Sequence, residues 1–427
     1  MFAASNERVL YNFNGTDGDG PNGLIFDAAG NLYGTTAAGG GSGCNGGCGT
    51  VFELTPGLNG QWAETVLYSF CAASNCTDGA VPLAGLIFDA AGNLYGTTEQ
   101  GGSYSGCLGY SCGTAFQLSP GANGKWTEKV LHSFGKGQDG WWPDAGLILD
   151  AAGSLYGTTS RGGGVSSCNG NDCGTVFELT TGANGKWKEK VLHRFGKGMD
   201  GIDPEARLIF DAAGNLYGTT QYGGNSYCNV GCGTVFELTP GANGRWTERI
   251  LHRFDQNLKP TNGLWPRADL IFDTAGNLYG TTTAGGSDTG YCFGGCGTVF
   301  QLAPGANGKW EEKVLHRFND NGEDGYSPYA GLTFDAAGNL YGTTYFGGAS
   351  GTSCENGCGT VFRLALGTNG KWKESVLHSF NSNGTDGVMP TADLILDAAG
   401  NLYGATGSGG AYGCNGSGCG IVFEITP

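Results

Sequence analysis

The sequence predicts an all-β protein: a seven-bladed β-propeller with four antiparallel strands per blade. Three observations point there. The tetrapeptide Leu-Tyr-Gly-[Thr/Ala] begins at Leu32, Leu94, Leu155, Leu216, Leu278, Leu340 and Leu402, so the copies stand 61 or 62 residues apart. A constant period of this length marks a repeat architecture. Each period holds four short apolar runs separated by turn residues, and none has helical spacing. Finally, the chain starts with a fourth run lacking its first three and ends with three runs lacking a fourth.

The unit from Gly85 to Phe134 serves as the example. Leu86-Ile87-Phe88-Asp89 is a short apolar run suited to a strand covered on both faces. Ala90-Ala91-Gly92-Asn93 follows as a turn, with Asp89 able to bond its backbone. Leu94 to Thr98 is the second strand, alternating and β-branched at its end. A glycine-rich loop with a cysteine pair leads to the third strand, Gly113 to Leu118. Asn123-Gly124 signals a two-residue hairpin, as do Asn59-Gly60, Asn184-Gly185, Asn243-Gly244, Asn307-Gly308 and Asn369-Gly370. The fourth strand, Trp126 to Phe134, should turn Trp126, Val130 and Phe134 inward and its charges outward.

Such a unit is too small to bury a core alone, and stacking neighbours supplies the core. The N-terminal run Arg8 to Phe13 should complete the last blade beside Ile421 to Ile425 and lock the ring. The whole chain, 1–427, reads as one propeller domain.

Bulk composition narrows the function. Glycine is 84 of 427 residues, far above the usual ~7%, yet aromatics are 11% and no Gly-X-Y period exists. Those glycines serve turns. A net charge of −16 repels phosphates and anionic lipid, which excludes nucleic acid as a partner. No apolar run reaches the ~20 residues of a membrane-spanning helix, so membrane insertion is not expected. The chain opens Met-Phe-Ala-Ala without a basic, apolar leader, as expected if a signal peptide was removed or the start was chosen for expression.

The sixteen cysteines fall into eight close pairs. Seven recur between the second and third strands: Cys44/Cys48, Cys107/Cys112, Cys168/Cys173, Cys228/Cys232, Cys292/Cys296, Cys354/Cys358 and Cys414/Cys419. Cys71/Cys76 has no counterpart. Local even pairing reads as disulfides made in an oxidising compartment, so the protein is expected to be secreted or displayed on the cell surface. Zinc is the rival reading, disfavoured by the spacing and by the absence of nearby histidines.

The unit G-L-I-F-D-A-A-G-N-L-Y-G-T-T, then G-G, then G-T-V-F-E-L-T-P, then V-L-H-S-F resembles the GloVer repeat family, named for Gloeobacter and Verrucomicrobia. More loosely it is similar to NHL-repeat propellers, which share D-x-x-G-N-[LI]-Y. The resemblance spans essentially the entire chain. It implies an exported bacterial propeller and carries over no catalytic residue.

Residues that recur in every unit belong to the scaffold. His132, His193, His252, His316 and His378 share one position, which Tyr11 and Tyr68 hold in the other two units. Trp62, Trp126, Trp187, Trp246, Trp310 and Trp372 recur likewise, as do the seven turn aspartates from Asp27 to Asp397. This argues against a serine–histidine hydrolase or a histidine-rich metal site.

Chemistry should sit where the repeat breaks its own symmetry, in the loops of one face. Blade-to-blade loops follow [Asp/Asn]-Gly-x-x-Pro, starting at Asp17, Asp78, Asp139, Asp200, Asn262, Asp324 and Asp386. Aromatics gather there: Trp141, Trp142, Trp265, Tyr326 and Tyr329, with Tyr222, Tyr345 and Phe346 just after Thr-Thr. They suit stacking on sugar rings or a partner protein. Charges also gather: Asp144, Glu205 and Arg267 follow the proline directly, while Arg207, Asp269 and Asp393 stand where other blades have glycine. Asp144, Glu205 and Asp269 are the candidate acid/base set of a glycoside hydrolase or polysaccharide lyase. The same residues, with Arg207, Arg267 and Asp393, could form a ligand clamp or an interblade salt-bridge network.

No cofactor is expected. Calcium has a weak signal in Asn14 to Asp19 and Asn319 to Asp324, which are rich in oxygen ligands but match no complete EF-hand loop. The sequence therefore favours binding of a carbohydrate or surface polymer on the loop-rich face. A carbohydrate-active enzyme and an adhesive module are the alternatives.

Overall fold

The computed structural model describes residues 6–41, 43–44, 46–108, 110–164, 173–224, 228, 230–255, 262–287, 292, 294–348, 354–414 and 416–427. Seven antiparallel sheets form the ring. Blade two shows the pattern: Ile87–Phe88, Leu94–Thr98, Thr114–Pro120 and Trp126–Ser133 pair in sequence order. Blades one, three, four, five and six repeat it, with second strands at Leu32–Ala38, Leu155–Thr159, Leu216–Thr220, Leu278–Thr282 and Leu340–Thr344. Blade seven contributes Ile395–Leu396, Leu402–Gly409 and Ile421–Thr426. Its fourth strand is Asn6–Asn12, running from Asn6 opposite Thr426 to Asn12 opposite Ile421.

Two local expectations need correction. The fourth strand carries a bulge: Ala115 pairs with His132 and Phe116 with Val130, leaving Leu131 between them. The extra residue shifts the alternation, so Trp126 and Phe134 do not share a face. Trp126 meets Tyr33 of the preceding blade, while Phe134 meets Phe177 of the following one. The Asn-Gly turn, moreover, belongs to a five-residue connection. Gly121 N–H donates to Lys125 O across it, with Asn123 and Gly124 both left-handed at φ 66° and 74°.

The core lies between blades. Tyr95, Ala115, Leu131 and Phe134 of blade two pack on Leu147, Leu155, Phe177 and Leu179 of blade three, and equivalent clusters fill the other joints. Polar contacts fix the spacing. The second-strand threonine donates to an alanine carbonyl of the next blade: Thr35 to Ala84, Thr97 to Ala145, Thr158 to Ala206, Thr219 to Ala268 and Thr281 to Ala330. At the closure joint the register differs on both sides. Blade one passes from Pro21 through Asn22 to Gly23 with no alanine, and blade seven has Ala405 in place of the threonine.

A further contact recurs at all seven joints. The carbonyl of the second cysteine accepts the N–H of the residue before the next proline, as in Trp142 N to Cys112 O, 3.0 Å. That donor is left-handed in every blade: Gly20, Val81, Trp142, Asp203, Trp265, Ser327 and Met389 have φ between 53° and 67°. The proline then lies flat on the glycine after the cysteine. A Cβ on Gly113 would sit 2.6 Å from Pro143 Cδ, which is why only glycine fits.

The disulfides are local, as expected. Cys44–Cys48, Cys71–Cys76, Cys107–Cys112, Cys228–Cys232, Cys292–Cys296, Cys354–Cys358 and Cys414–Cys419 are all formed. Cys173 is also disulfide-bonded, and Cys168 lies outside the described residues.

The histidines are scaffold. His132, His193, His316 and His378 bond Asp139, Asp200, Asp324 and Asp386, and Tyr11 and Tyr68 do the same with Asp17 and Asp78. Each of these aspartates lies near a glutamate on the next fourth strand. Burial, then the adjacent aspartate, pushes Glu64, Glu128 and Glu374 up to about 7. Glu248 rises to about 9 for the same reasons, and Glu7 and Glu189 are raised as well. The turn aspartates Asp27, Asp89, Asp211, Asp273, Asp335 and Asp397 go the other way. Burial pushes them up, but hydrogen bonds from the turn asparagine and nearby N–H groups outweigh it.

Two outcomes are expected. A chain lacking residues 1–13 leaves the edge of blade seven open and should aggregate or melt well below the full chain in calorimetry. The second concerns pH. A raised folded pKa favours folding below the unfolded value, and that gain is lost as pH rises through the folded pKa; a lowered one is lost as pH falls through it. The rim glutamates therefore withdraw stability as pH rises from their ordinary value of 4.5 to about 7, and Glu248 on to about 9, while the turn aspartates do so below about pH 4. Thermal melts should peak at mildly acidic pH and decline toward alkaline pH.

Candidate functional site

Blade-to-blade loops and disulfide loops meet on one face, joined by the cysteine carbonyl contacts and by pairings such as Trp141 with Arg161. From this face each chain segment dives past its proline into the channel. The register predicted from sequence thereby becomes two stacked rings. Asn22, Leu83, Asp144, Glu205, Arg267, Tyr329 and Thr391 form the upper one. Gly23, Gly85, Gly146, Arg207, Asp269, Gly331 and Asp393 form the lower. Together with the residues below they enclose a cavity of about 390 Å³ to which every blade contributes.

The lower ring bridges the channel. Arg207 Nε lies 2.9 Å from Asp269 Oδ2 on the adjacent blade, and Arg207 Nη2 lies 3.6 Å from Asp393 Oδ2 on blade seven. The Arg207 N–H donates to Asp269 Oδ1 at 2.7 Å, and Gly331 N–H donates to Asp393 Oδ1. A Cβ on Gly331 would sit 3.0 Å from that oxygen and 3.1 Å from Asp269 Cβ, so the glycine makes room for the triad. Burial drives Asp269 up to about 7, with Arg207 pulling it down and Asp393 pushing it further up. Asp269 and, secondarily, Asp393 hold the Arg207 guanidinium charged.

The upper ring carries a second pair. Arg267 Nε reaches Glu205 Oε2 at 2.5 Å, and its guanidinium lies 5.1 Å from the centre of the Tyr329 ring. Burial raises Glu205 although Arg267 opposes it. Next to this pair, Arg161 is ion-paired with Asp203. Sequence reasoning missed both residues. The signal was available: Arg161 stands where the other blades have Ala38, Gln100, Tyr222, Ala284, Phe346 and Ser408. Asp203 is likewise an acid at the left-handed position before proline.

Asp144 differs from the other acids. It belongs to neither ion pair, and its Oδ1 is buried without a hydrogen-bond partner. Burial, and then the charge of Glu99, raise it well above the usual carboxylate range, with Ser160 opposing. It faces the cavity, so water reaches part of it while protein surrounds the rest.

Most of the aromatics line this half of the face. Tyr329 and Tyr345 stand 4.9 Å apart, Tyr345 and Phe346 4.6 Å, Tyr222 and Trp265 6.4 Å, and Trp141 and Trp142 4.9 Å. All are half-buried. Tyr326 is the exception. It is 4% exposed against Phe346 in the interblade core and offers no stacking face. The opposite wall, from Asn22 to Gly85, is uncharged.

The oxygen-rich loops are occupied by their own turns. Asp17 accepts from Tyr11 and Asn14, while Asp324 accepts from His316 and Asn319.

Fold and repeat place this molecule in the class of seven-bladed β-propellers closed by their N-terminal strand. The pattern of the Gloeobacter/Verrucomicrobia repeat matches residues 2–168, 105–293 and 289–427, and the chain belongs to that family. No curated protein matches it in sequence. Among solved structures it is similar to virginiamycin B lyase from Staphylococcus aureus, at 14% identity over 99% of both chains with a TM-score of 0.53. A catalytically inactive variant of that lyase with quinupristin gives 15% over the same coverage, also at 0.53. The extracellular domain of a one-component system from B. thetaiotaomicron gives 12% over 98% of this chain and 40% of that one, at 0.54. At such identities the likeness concerns the fold.

Removing one partner of the lower triad should leave buried carboxylates facing each other. Arg207→Ala is expected to lower stability by about 1–3 kcal/mol in chemical denaturation, less than a fully buried pair because the guanidinium is partly exposed. Adding Asp269→Asn should recover part of that loss, a coupling that a double-mutant cycle measures directly.

Proposed function

We propose that this protein is an exported propeller that binds a carbohydrate or cell-surface polymer at the mouth of its channel. The observation that carries the reading is the cavity of about 390 Å³ with its asymmetric lining. Its charged wall offers directed hydrogen bonds through Arg207, Arg267 and their carboxylates, while Tyr329 in its lining supplies a ring face backed by Tyr345. Sugars need both: hydroxyls satisfied by fixed polar groups and apolar ring faces covered by aromatics. Export is supported by the disulfides in the cysteine loops.

A second reading, glycoside hydrolysis or polysaccharide cleavage, is favoured by one specific feature. Burial raises Asp144 well above the usual carboxylate range, the direction a general acid requires, and the charge of Glu205 adds to it.

A polysaccharide panel assayed for both binding and product release separates the two. Under the binding reading, Trp265→Ala weakens affinity about tenfold in calorimetry at a temperature where the variant remains folded. Under the catalytic reading, Asp144→Asn and Glu205→Gln cut turnover by orders of magnitude while substrate affinity holds. If no glycan in the panel binds and none is cleaved, both readings fall.

A further inference from the structure

Blade one carries two cysteine pairs where each other blade carries one. Cys44–Cys48 closes the usual loop, and Cys71–Cys76 closes the first stretch of the connection to blade two. The two come together: the four Sγ atoms all lie within 4.8 Å of one another. A tetrahedral zinc with Zn–S of about 2.3 Å needs its sulfurs about 3.8 Å apart, so the sulfurs of the two bridges need close by no more than about 1 Å, while those within each bridge part once it is reduced. It is the meeting of the two pairs in space, not the spacing within either, that brings four sulfur ligands together.

The local backbone is shaped for this meeting. Cys71, Asn75 and Cys76 all adopt left-handed conformations, at φ 61°, 58° and 52°. Gly43, beside Cys44, lets the second pair approach: a Cβ there would sit 2.5 Å from Cys71 Sγ. Cys48 is fully buried and the other three are partly buried, so the cluster is sheltered yet reachable.

We infer that Cys44, Cys48, Cys71 and Cys76 form a redox-gated site for a soft divalent cation, zinc foremost. With both disulfides formed the site is closed to metal. Two equivalents of a dithiol reductant open it: each disulfide takes two electrons and two protons, giving two thiols, while each reductant becomes a cyclic disulfide. Zinc then displaces the four thiol protons and is held by four thiolates. Among the described residues no other cysteine pair joins this cluster, and Cys292–Cys296, which meets no further ligand group, serves as the internal control.

The test uses the full chain, reduced by a dithiol under argon and freed of reductant. Cobalt(II) then reports a tetrahedral thiolate site by its charge-transfer absorption, and zinc should displace it. Binding of about one metal ion per chain is expected. Paired Cys71→Ser and Cys76→Ser should abolish it, and paired Cys292→Ser and Cys296→Ser should not. A reduced, folded chain that binds no cobalt, or binds it equally with Cys71 and Cys76 replaced, overturns the inference. If full reduction unfolds the chain, substoichiometric reduction under native conditions followed by reoxidation decides instead. Peptide mapping should then recover exchanged pairs such as Cys44–Cys71 and Cys48–Cys76, within this group alone. Mapping that returns only the original pairs overturns it.

Discussion

The hydrogen bond from the residue before each proline to a cysteine carbonyl of the preceding blade is the contact on which the rest depends. It binds a loop of one blade to the entrance of the next. It also requires a left-handed residue, and at six joints that residue is not glycine. Such a conformation costs on the order of 1 kcal/mol and persists only where its surroundings over-determine it. The disulfide fixes the acceptor and the proline, seated on glycine, fixes the donor's neighbour. Because the clasp repeats, it sets the height at which the chain enters the channel, and so the level of the two rings that line the cavity.

Much of this was legible in the sequence. The period gave the blade count, and the split unit gave the closure. Register alone put Arg207 and Asp269, 62 residues apart, at equivalent places on neighbouring blades, and they do pair. The features that stayed hidden share one cause: they depend on single backbone irregularities that leave composition unchanged. The bulge at Leu131 inverts which side Phe134 faces, although Val-Leu-His-Ser-Phe reads as plain alternation. Tyr326 looked like its exposed neighbours, yet its strand pairing with Phe346 turns it into the core. The left-handed residues were invisible because Val81, Ser327 and Met389 have no preference for that conformation.

Two kinds of polar residue result. Periodic ones are committed to architecture, as with the histidines on the loop aspartates or the threonines on alanine carbonyls. Aperiodic ones crowd the channel mouth between blades three and seven, where ion pairs satisfy most of them and leave Asp144 without a partner for one oxygen. The uncharged wall opposite is what an unmodified ring would look like. The site is thus a local rewriting of a repeated surface, carried on a frame that does not change.

The closure joint adds a constraint of another kind. Blade one lacks the alanine whose carbonyl serves as acceptor at five other joints, and blade seven lacks the matching threonine hydroxyl. The two departures answer each other across the seam, so the first and last units are a matched couple. A unit copied from the interior into either end would bring a buried hydroxyl with no acceptor, or an acceptor with no donor. Growth of such a chain by duplication is therefore free only between the ends. A circular permutant that carries Ala405 and Asn22 together should keep its joint wherever the new termini fall, because the key travels with the lock.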